Sequence, residues 1–367
     1  MFATTLRLPD KSRSLHADNS EEQAVADQAK QGFEVFGQTE KGEAVYRLKI
    51  SGGGLTAHVI TWGAVIQDLR LDGHQPPLVL GFERFEDYLA HSPYFGATPG
   101  RCSNRIGGGR FSLDGRQYQL ELNERGVTHL HGGTDGIGRS NWTIVDCTPD
   151  KVVLRITDPD GRAGYPGNCT ITATYQLNAD GVLSVIYEST ADQPTLANIC
   201  QHSYFNLDGR DDALGHDIMI AADHVLALDD RQVPTGEILA VAGTPFDLRE
   251  MGPMKRFGGG DQVLFDHNFC LSHERTAKRP VALVRSIYSG LAMEVRTTEP
   301  GLQFYAAFKL QKLPVTGLDG RQYGPFAGFC LETQVWPDSI NHARFPNAVL
   351  RPGEVLRQET DYVFSKH

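Results

Sequence analysis

The stretch Phe329-Cys330-Leu331-Glu332-Thr333-Gln334-Val335-Trp336-Pro337-Asp338 is an apolar run interrupted, before Pro337, by one carboxylate. It reads as a strand ending at the proline, which has no N–H to give a ladder. Alternation puts Cys330, Glu332, Gln334 and Trp336 on one face and Phe329, Leu331, Thr333 and Val335 on the other. A carboxylate beside an amide and an indole suits a hydroxyl-rich ligand better than it suits a core. Burial there raises a carboxyl pKa and makes it a better proton acceptor. The alternative is a strand-end glutamate facing water, since glutamate is seldom buried. The burial reading predicts a Glu332 pKa above the ordinary value of about 4.3, with the group still ionised at pH 7.

Outward from this strand, the same short-period alternation recurs along most of the chain. Ala44 to Ile50, Leu55 to Ile60 and Ala64 to Leu71 read as strands around the Gly52-Gly53-Gly54 turn and before Asp72-Gly73. Leu78 to Leu80 and Phe111 to Leu120, turning at Asp114-Gly115, continue the pattern. Lys151 to Thr157, Cys169 to Leu177 and Val182 to Ser189 follow, with Asp-Gly turns at 160–161 and 180–181. Asp217 to Ala222, Phe265 to Leu271, Val281 to Ser286, Ala292 to Thr298 and Leu302 to Phe308 precede the opening strand. Long helical periodicity, fixed repeats and Pro/Ser-rich linkers are missing. The expectation is a polar N-terminal extension, residues 1–31, with a short helix opening at Ser20-Glu21-Glu22-Gln23. One all-β unit would then span residues 32–367.

Composition narrows the function classes. The chain has 367 residues, 40% hydrophobic and 22% charged, with 39 glycines and a net charge of −10. That charge disfavours nucleic acid and anionic membranes as partners and leaves a neutral ligand unaffected. No apolar run approaches the roughly 18 residues of a membrane span, and the N-terminus lacks the apolar centre of a signal peptide. The six cysteines form no Cys-x-x-Cys pair. A reducing cytoplasm is expected, without a disulfide framework or zinc site.

Polar residues that interrupt strands mark where chemistry can sit. Asn104 and Arg105, in a loop before a strand, offer several directed donors suited to hydroxyls. In Thr128-His129-Leu130-His131-Gly132-Gly133, an extended backbone would place His129 and His131 on one face, as in a metal-binding pair. No third protein ligand follows nearby. The glycines would let a ligand approach the backbone closely. In the run from Asn198 to Leu207, alternation gathers Asn198, Cys200, His202, Tyr204 and Asn206. Asp266 and Gln303 each add a polar group to an apolar run. This set holds a proton donor, a proton acceptor and hydroxyl-binding groups, with neither a nucleophile elbow nor a metal cage.

In these segments the chain resembles the aldose 1-epimerases, or galactose mutarotases. The likeness runs from about Phe33 to the C-terminus. It is carried by Asn104-Arg105-Ile106, Leu130-His131-Gly132-Gly133, His202-Ser203-Tyr204-Phe205-Asn206-Leu207 and Gly243-Thr244-Pro245-Phe246-Asp247. Asp266-His267-Asn268-Phe269, Leu331-Glu332-Thr333-Gln334 with Pro337-Asp338, and Leu350-Arg351-Pro352-Gly353-Glu354 complete it. The resemblance implies a large antiparallel β-sandwich with few short helices and an open cleft for a pyranose. It implies Glu332 as general base and His202 as general acid, with Asn104, Arg105, His131, Asp266 and Gln303 holding the sugar. No metal or other cofactor is implied. The partner expected is a small-molecule aldose, bound by a monomer or homodimer. Gln201 stands where the family usually has Asn, and by alternation it faces away from His202. Two other readings remain: a glycoside hydrolase using Asp266 and Glu332, and a sugar-binding module without turnover.

Overall fold

The computed structural model describes residues 33–366, so the expected N-terminal extension and its helix lie outside the described residues. Three antiparallel sheets dominate: one of nine strands, one of five and one of four, with four small two-stranded sheets beside them. The four-stranded sheet runs in chain order through Phe33–Gln38, Ala44–Gly52, Leu55–Ile60 and Val65–Leu71. One apolar core joins the three. It takes Leu48 and Ile66 from the four-stranded sheet, Ile171, Val185 and Val295 from the nine-stranded sheet, and Leu302, Phe304 and Leu331 from the five-stranded sheet. All three sheets therefore turn one face to a shared core, as the expected β-sandwich requires. Cys169–Asn178 alternates buried and half-buried along its whole length, which is the pattern of a strand with one face on a core. Among the described residues the one α-helix is the short Phe85–His91.

Most strands fall where alternation and turns place them, and the exceptions are instructive. Leu78 to Leu80 contributes only an isolated bridge, Val79 to Phe205. The strands Phe33–Gln38, Thr143–Thr148, His224–Leu228, Pro234–Ala240 and Leu356–Lys366 escape the sequence reading. The last lies in the middle of the nine-stranded sheet, paired with Val182–Ala191 on one side and Leu291–Thr297 on the other. Its polar residues hide the period because the sheet around them satisfies them. Thr360 Oγ1 meets Thr333 Oγ1 at 2.5 Å, and Asp361 accepts from Ser184 at 2.7 Å and from Lys278 at 2.7 Å.

Gln358 of the same strand grips the backbone of Ile199 at both ends, accepting from its N–H at 3.1 Å and donating to its carbonyl at 3.0 Å. The segment 198–206 has no ladder of its own. Backbone bonds tie it in from both sides: His202 N–H to Ala97 O at 2.9 Å and Phe205 N–H to Phe329 O at 2.7 Å. It is an extended strap laid between the loop at 95–103 and the segment from Phe329 into the strand Cys330–Gln334.

Candidate active site

The five-stranded sheet has the order Pro234–Ala240, His224–Leu228, Asp266–Cys270, Gly301–Tyr305, Cys330–Gln334. Register across its last three strands pairs Asp266 with Tyr305 and Tyr305 with Cys330, and one row further Asn268 with Gln303 and Gln303 with Glu332. Paired residues project to the same face, so these polar groups line up on one side of the sheet. Phe269, Leu302, Phe304 and Leu331 project to the other side, into the core. The sequence alternation of the opening stretch thus splits the sheet into a core face and a polar face.

Over that polar face lies a cleft of about 330 Å³ lined by Asn104, Arg105, His131, His202, Asp266 and Glu332. Tyr94, Glu124, Arg125, Arg139, Tyr204, Tyr305 and Lys309 complete its walls and mouth. A hollow of about 530 Å³ near Thr244 and Arg256 is roomier, but its lining holds no facing acid and base of this kind. Volumes from about 300 Å³ upward suit small ligands. Gln303 is buried outside the cleft lining and reaches it through Asp266, to which its Nε2 donates at 2.7 Å. Two expectations for the opening stretch fail. Gln334 is fully buried below the cleft, and Trp336 lies past the strand end in a separate apolar cluster with Leu226, Cys270 and Phe345. Cys270 lies on the same sheet face as Asp266 and Glu332, so Trp336 keeps the side that alternation gives it and misses the cleft because it lies four residues further along the sheet.

At the floor, His202 Nε2 lies 3.7 Å from Glu332 Oε1, with both side chains almost wholly buried. Tyr204 stacks on the His202 ring at 5.2 Å between centroids, and Tyr94 lies nearly parallel to it at 6.0 Å. Alternation along the strap holds: Asn198 exchanges two hydrogen bonds with the backbone of Val335, Cys200 meets Glu332, and Tyr204 backs His202. Gln201 bonds the backbone N–H of His202 at 2.9 Å and leaves the ring free.

Asn104 and His131 both have positive φ, 59° and 53°. Their backbones lock together: His131 N–H donates to Asn104 O at 3.0 Å, and Asn104 N–H donates to His131 Nδ1 at 3.2 Å. A Cβ on Gly132 would sit 1.7 Å from Gly100 O, so the glycine serves a close approach of the chain to itself rather than of a ligand. His129 points elsewhere. Its ring is bonded to Glu121 O and to Tyr165 OH, both at 2.7 Å. The strand stops at Leu130, so the two histidines do not share a face and form no metal pair.

His131, His202 and Glu332 do gather ligand atoms within 4.8 Å of one another. The tautomer of His131 argues against a metal there. Nδ1 accepts a backbone N–H, so the neutral ring carries its hydrogen on Nε2 and offers a donor, not a lone pair. That suits a hydroxyl oxygen.

Electrostatics separate the carboxylates. Burial, reinforced by the nearby charge of Asp266, pushes Glu332 from an ordinary 4.5 up to about 8. The direction is as expected, and the rise to about 8 favours the protonated carboxyl at pH 7 over the ionised one expected. Burial pushes His202 down to about 4. At neutral pH the pair therefore holds one proton, on the carboxyl. Burial would also raise Asp266, but Lys309, whose Nζ donates to its carboxylate at 2.7 Å, and Arg105 outweigh burial and keep it below the ordinary range. Arg105 is held flat by Glu124, which accepts from Nε and Nη2 at 2.7 Å each. Lys309 and Glu124 were not found from the sequence. Each is a single charged residue in a loop with no periodic context, and only the fold brings it to the cleft.

A sugar-sized cleft on the polar face of a β-sandwich, with a buried imidazole and carboxyl facing each other, defines an acid–base site for a polyhydroxylated ligand. The comparisons give the family. The aldose 1-epimerase family model matches residues 45–363, and the chain belongs to that family. It is 41% identical over 338 residues to the galactose mutarotase of Rattus norvegicus, covering 90% of this chain and 97% of that one. Against the aldose 1-epimerase of Escherichia coli K12 it is 34% identical over 325 residues, covering 86% and 93%. The crystal structure of an aldose epimerase homologue from C. elegans superposes with a TM-score of 0.81 at 29% identity, over 87% of this chain and 98% of that chain.

Proposed function

We propose that this protein is an aldose 1-epimerase interconverting the α and β anomers of free aldohexoses such as glucose and galactose, with Glu332 as general base and His202 as general acid. The observation that carries this is the 3.7 Å approach of His202 Nε2 to Glu332 Oε1 at the floor of the cleft. Anomer exchange needs a proton taken from the C1 hydroxyl and a proton given to the ring oxygen. Glu332 takes the first, His202 gives the second, and the bond between C1 and the ring oxygen breaks to leave an aldehyde. Rotation about C1–C2 and reversal of both transfers close the ring on its other face. No atom is gained or lost, and the pair ends with the one proton it began with. The reacting ionic form, carboxylate and imidazolium, has the same proton count as the neutral pair and differs by moving one proton between the two groups. Hydroxyls hydrogen-bonding to the carboxylate favour that shift.

Asn104, Arg105 and the Nε2–H of His131 supply donors to sugar oxygens, and Asp266, steadied by Gln303 and Lys309, supplies an acceptor. The hydrolase reading is less favoured. It needs two carboxyl groups acting across the scissile bond at roughly 5–5.5 or 6.5–9.5 Å. Here Asp266 is committed to Lys309 and Gln303, while the group facing Glu332 is a histidine. Polarimetry on freshly dissolved α-D-glucose and α-D-galactose tests the proposal. Equilibration is expected to accelerate with wild type; no acceleration with either sugar would refute it.

A further inference from the structure

Two buried thiols touch the reacting pair, and acid–base chemistry alone gives them no part. Cys200 Sγ lies 3.6 Å from Glu332 Oε2, the oxygen on the far side from His202. Cys330 Sγ lies 3.6 Å from His202 Nδ1, the nitrogen turned away from Glu332. Both cysteines are buried, at 1% and 0% exposure. Each reacting group thus shows one atom to the other and its second atom to sulfur. Among the described residues Cys200 is the sole hydrogen-bond donor to the Glu332 carboxyl. We propose that Cys200 and Cys330 are positioning residues for anomer exchange: the S–H of Cys200 holds Glu332 through Oε2, and Cys330 partners Nδ1 of His202, so that Oε1 and Nε2 face the sugar. This rests on the roles assigned above to Glu332 and His202.

Sulfur suits both places. Burial raises both thiols well above their ordinary range, with Glu332 adding to the shift, so they stay protonated. A thiol is a weak donor and a weak acceptor. Behind Glu332 it orients the carboxyl while stabilising the anion only slightly, which keeps the base strong. Behind His202 it accepts from Nδ1–H, which stays in place while the proton on Nε2 comes and goes. The other charged or titratable groups around Glu332 are Asp266, Arg105, His131 and His202. Tyr204, Tyr305 and Tyr362 stand further out and stay neutral, because burial raises all three. None of these groups changes when a thiol is replaced.

The experiment is the pH dependence of kcat/KM for Cys200→Ser, Cys200→Ala, Cys330→Ser and Cys330→Ala, with thermal melting as the control for folding. A hydroxyl at position 200 donates more strongly, so its basic limb is expected to move down by about half a pH unit or more. With alanine there, the limb moves up, and kcat falls roughly 2- to 10-fold for want of one hydrogen bond. Cys330→Ala is expected to lose kcat in the same range with KM little changed, and Cys330→Ser to recover most of it. A merely structural thiol would shift the melting temperature and leave the limbs in place. Unmoved limbs in active Cys200 variants overturn this inference alone. An inactive wild type overturns it together with the proposed function.

Discussion

Two buried pairs of an acidic and a basic side chain look alike by exposure and differ in what surrounds them. Arg101 and Asp158 bury their side chains to 0% and 4% exposure, and Glu332 and His202 to 3% and 5%. Arg101 is saturated. It donates to Asp158 Oδ2 at 2.9 Å, to Pro166 O at 2.8 Å, to Gly167 O at 2.9 Å and to Thr195 Oγ1 at 3.1 Å. Its Nη2 bonds Asp158 O at 3.0 Å and Pro159 O at 3.3 Å. Glu332 has a thiol and an imidazole beyond hydrogen-bonding distance. A buried charge with every hydrogen placed is scaffold, whereas a buried ionisable group left short of partners is held ready for a ligand that brings them. Arg101 and Arg105 sit four residues apart in one motif and fall on opposite sides of this divide.

The contrast can be broken by mutation. Glu332→Gln is expected to lower the mutarotation rate by roughly 1,000-fold, the range of one acid–base group, while leaving melting unchanged or raised. Retention of full activity by this variant would refute the base assignment. Arg101→Met strands Asp158 and several carbonyls, and denaturant unfolding is expected to show a loss of about 3–5 kcal/mol. A loss under about 1 kcal/mol would mean that the pair is not scaffold. Lys309→Met frees Asp266 from its cation, and kcat/KM is expected to fall roughly 10-fold, mainly through KM. An effect confined to kcat would instead place Lys309 in the proton transfer.

The effects of pH are gentler. Below about 4 His202 gains a second proton for the pair and the base is lost; above about 8 Glu332 gives up the only proton and the acid is lost. The kcat/KM profile is therefore expected to be flat between those limits, and a basic limb near 6 would contradict the assignment. Stability has its own sign. Folded Glu332 keeps its proton where the unfolded chain has lost it, so this contribution is full below 4.5 and drains away as pH rises to about 8. The Glu332→Gln variant should show a flatter stability slope across that window.

Alternation alone separated Leu331 and Thr333 from Glu332, and Ile199 and Phe205 from His202, because the side-chain period of an extended backbone is a local property. Turns were as legible where Asp-Gly pairs marked them. Leu356–Lys366 was not, because Gln358, Thr360 and Asp361 are polar and their partners come from segments distant in sequence. His131 was singled out in the sequence and lines the cleft, yet its tautomer depends on the backbone N–H of Asn104, and no spacing encodes that contact.

The stretch from Phe329 to Asp338 by itself determined a strand with one carboxylate among apolar neighbours, and the segments around it determined the family. Tertiary structure alone decided how tightly that carboxyl holds its proton, because burial and Asp266, Arg105 and Cys200 set it, and these come from another strand of the sheet, from Arg105–Gly107 and from the strap. It also decided that Trp336 lies outside the cleft, because the far end of the same face is closed by Leu226, Cys270 and Phe345 packed on the indole. Period and composition are carried by neighbours in sequence. Desolvation and charge are carried by neighbours in space.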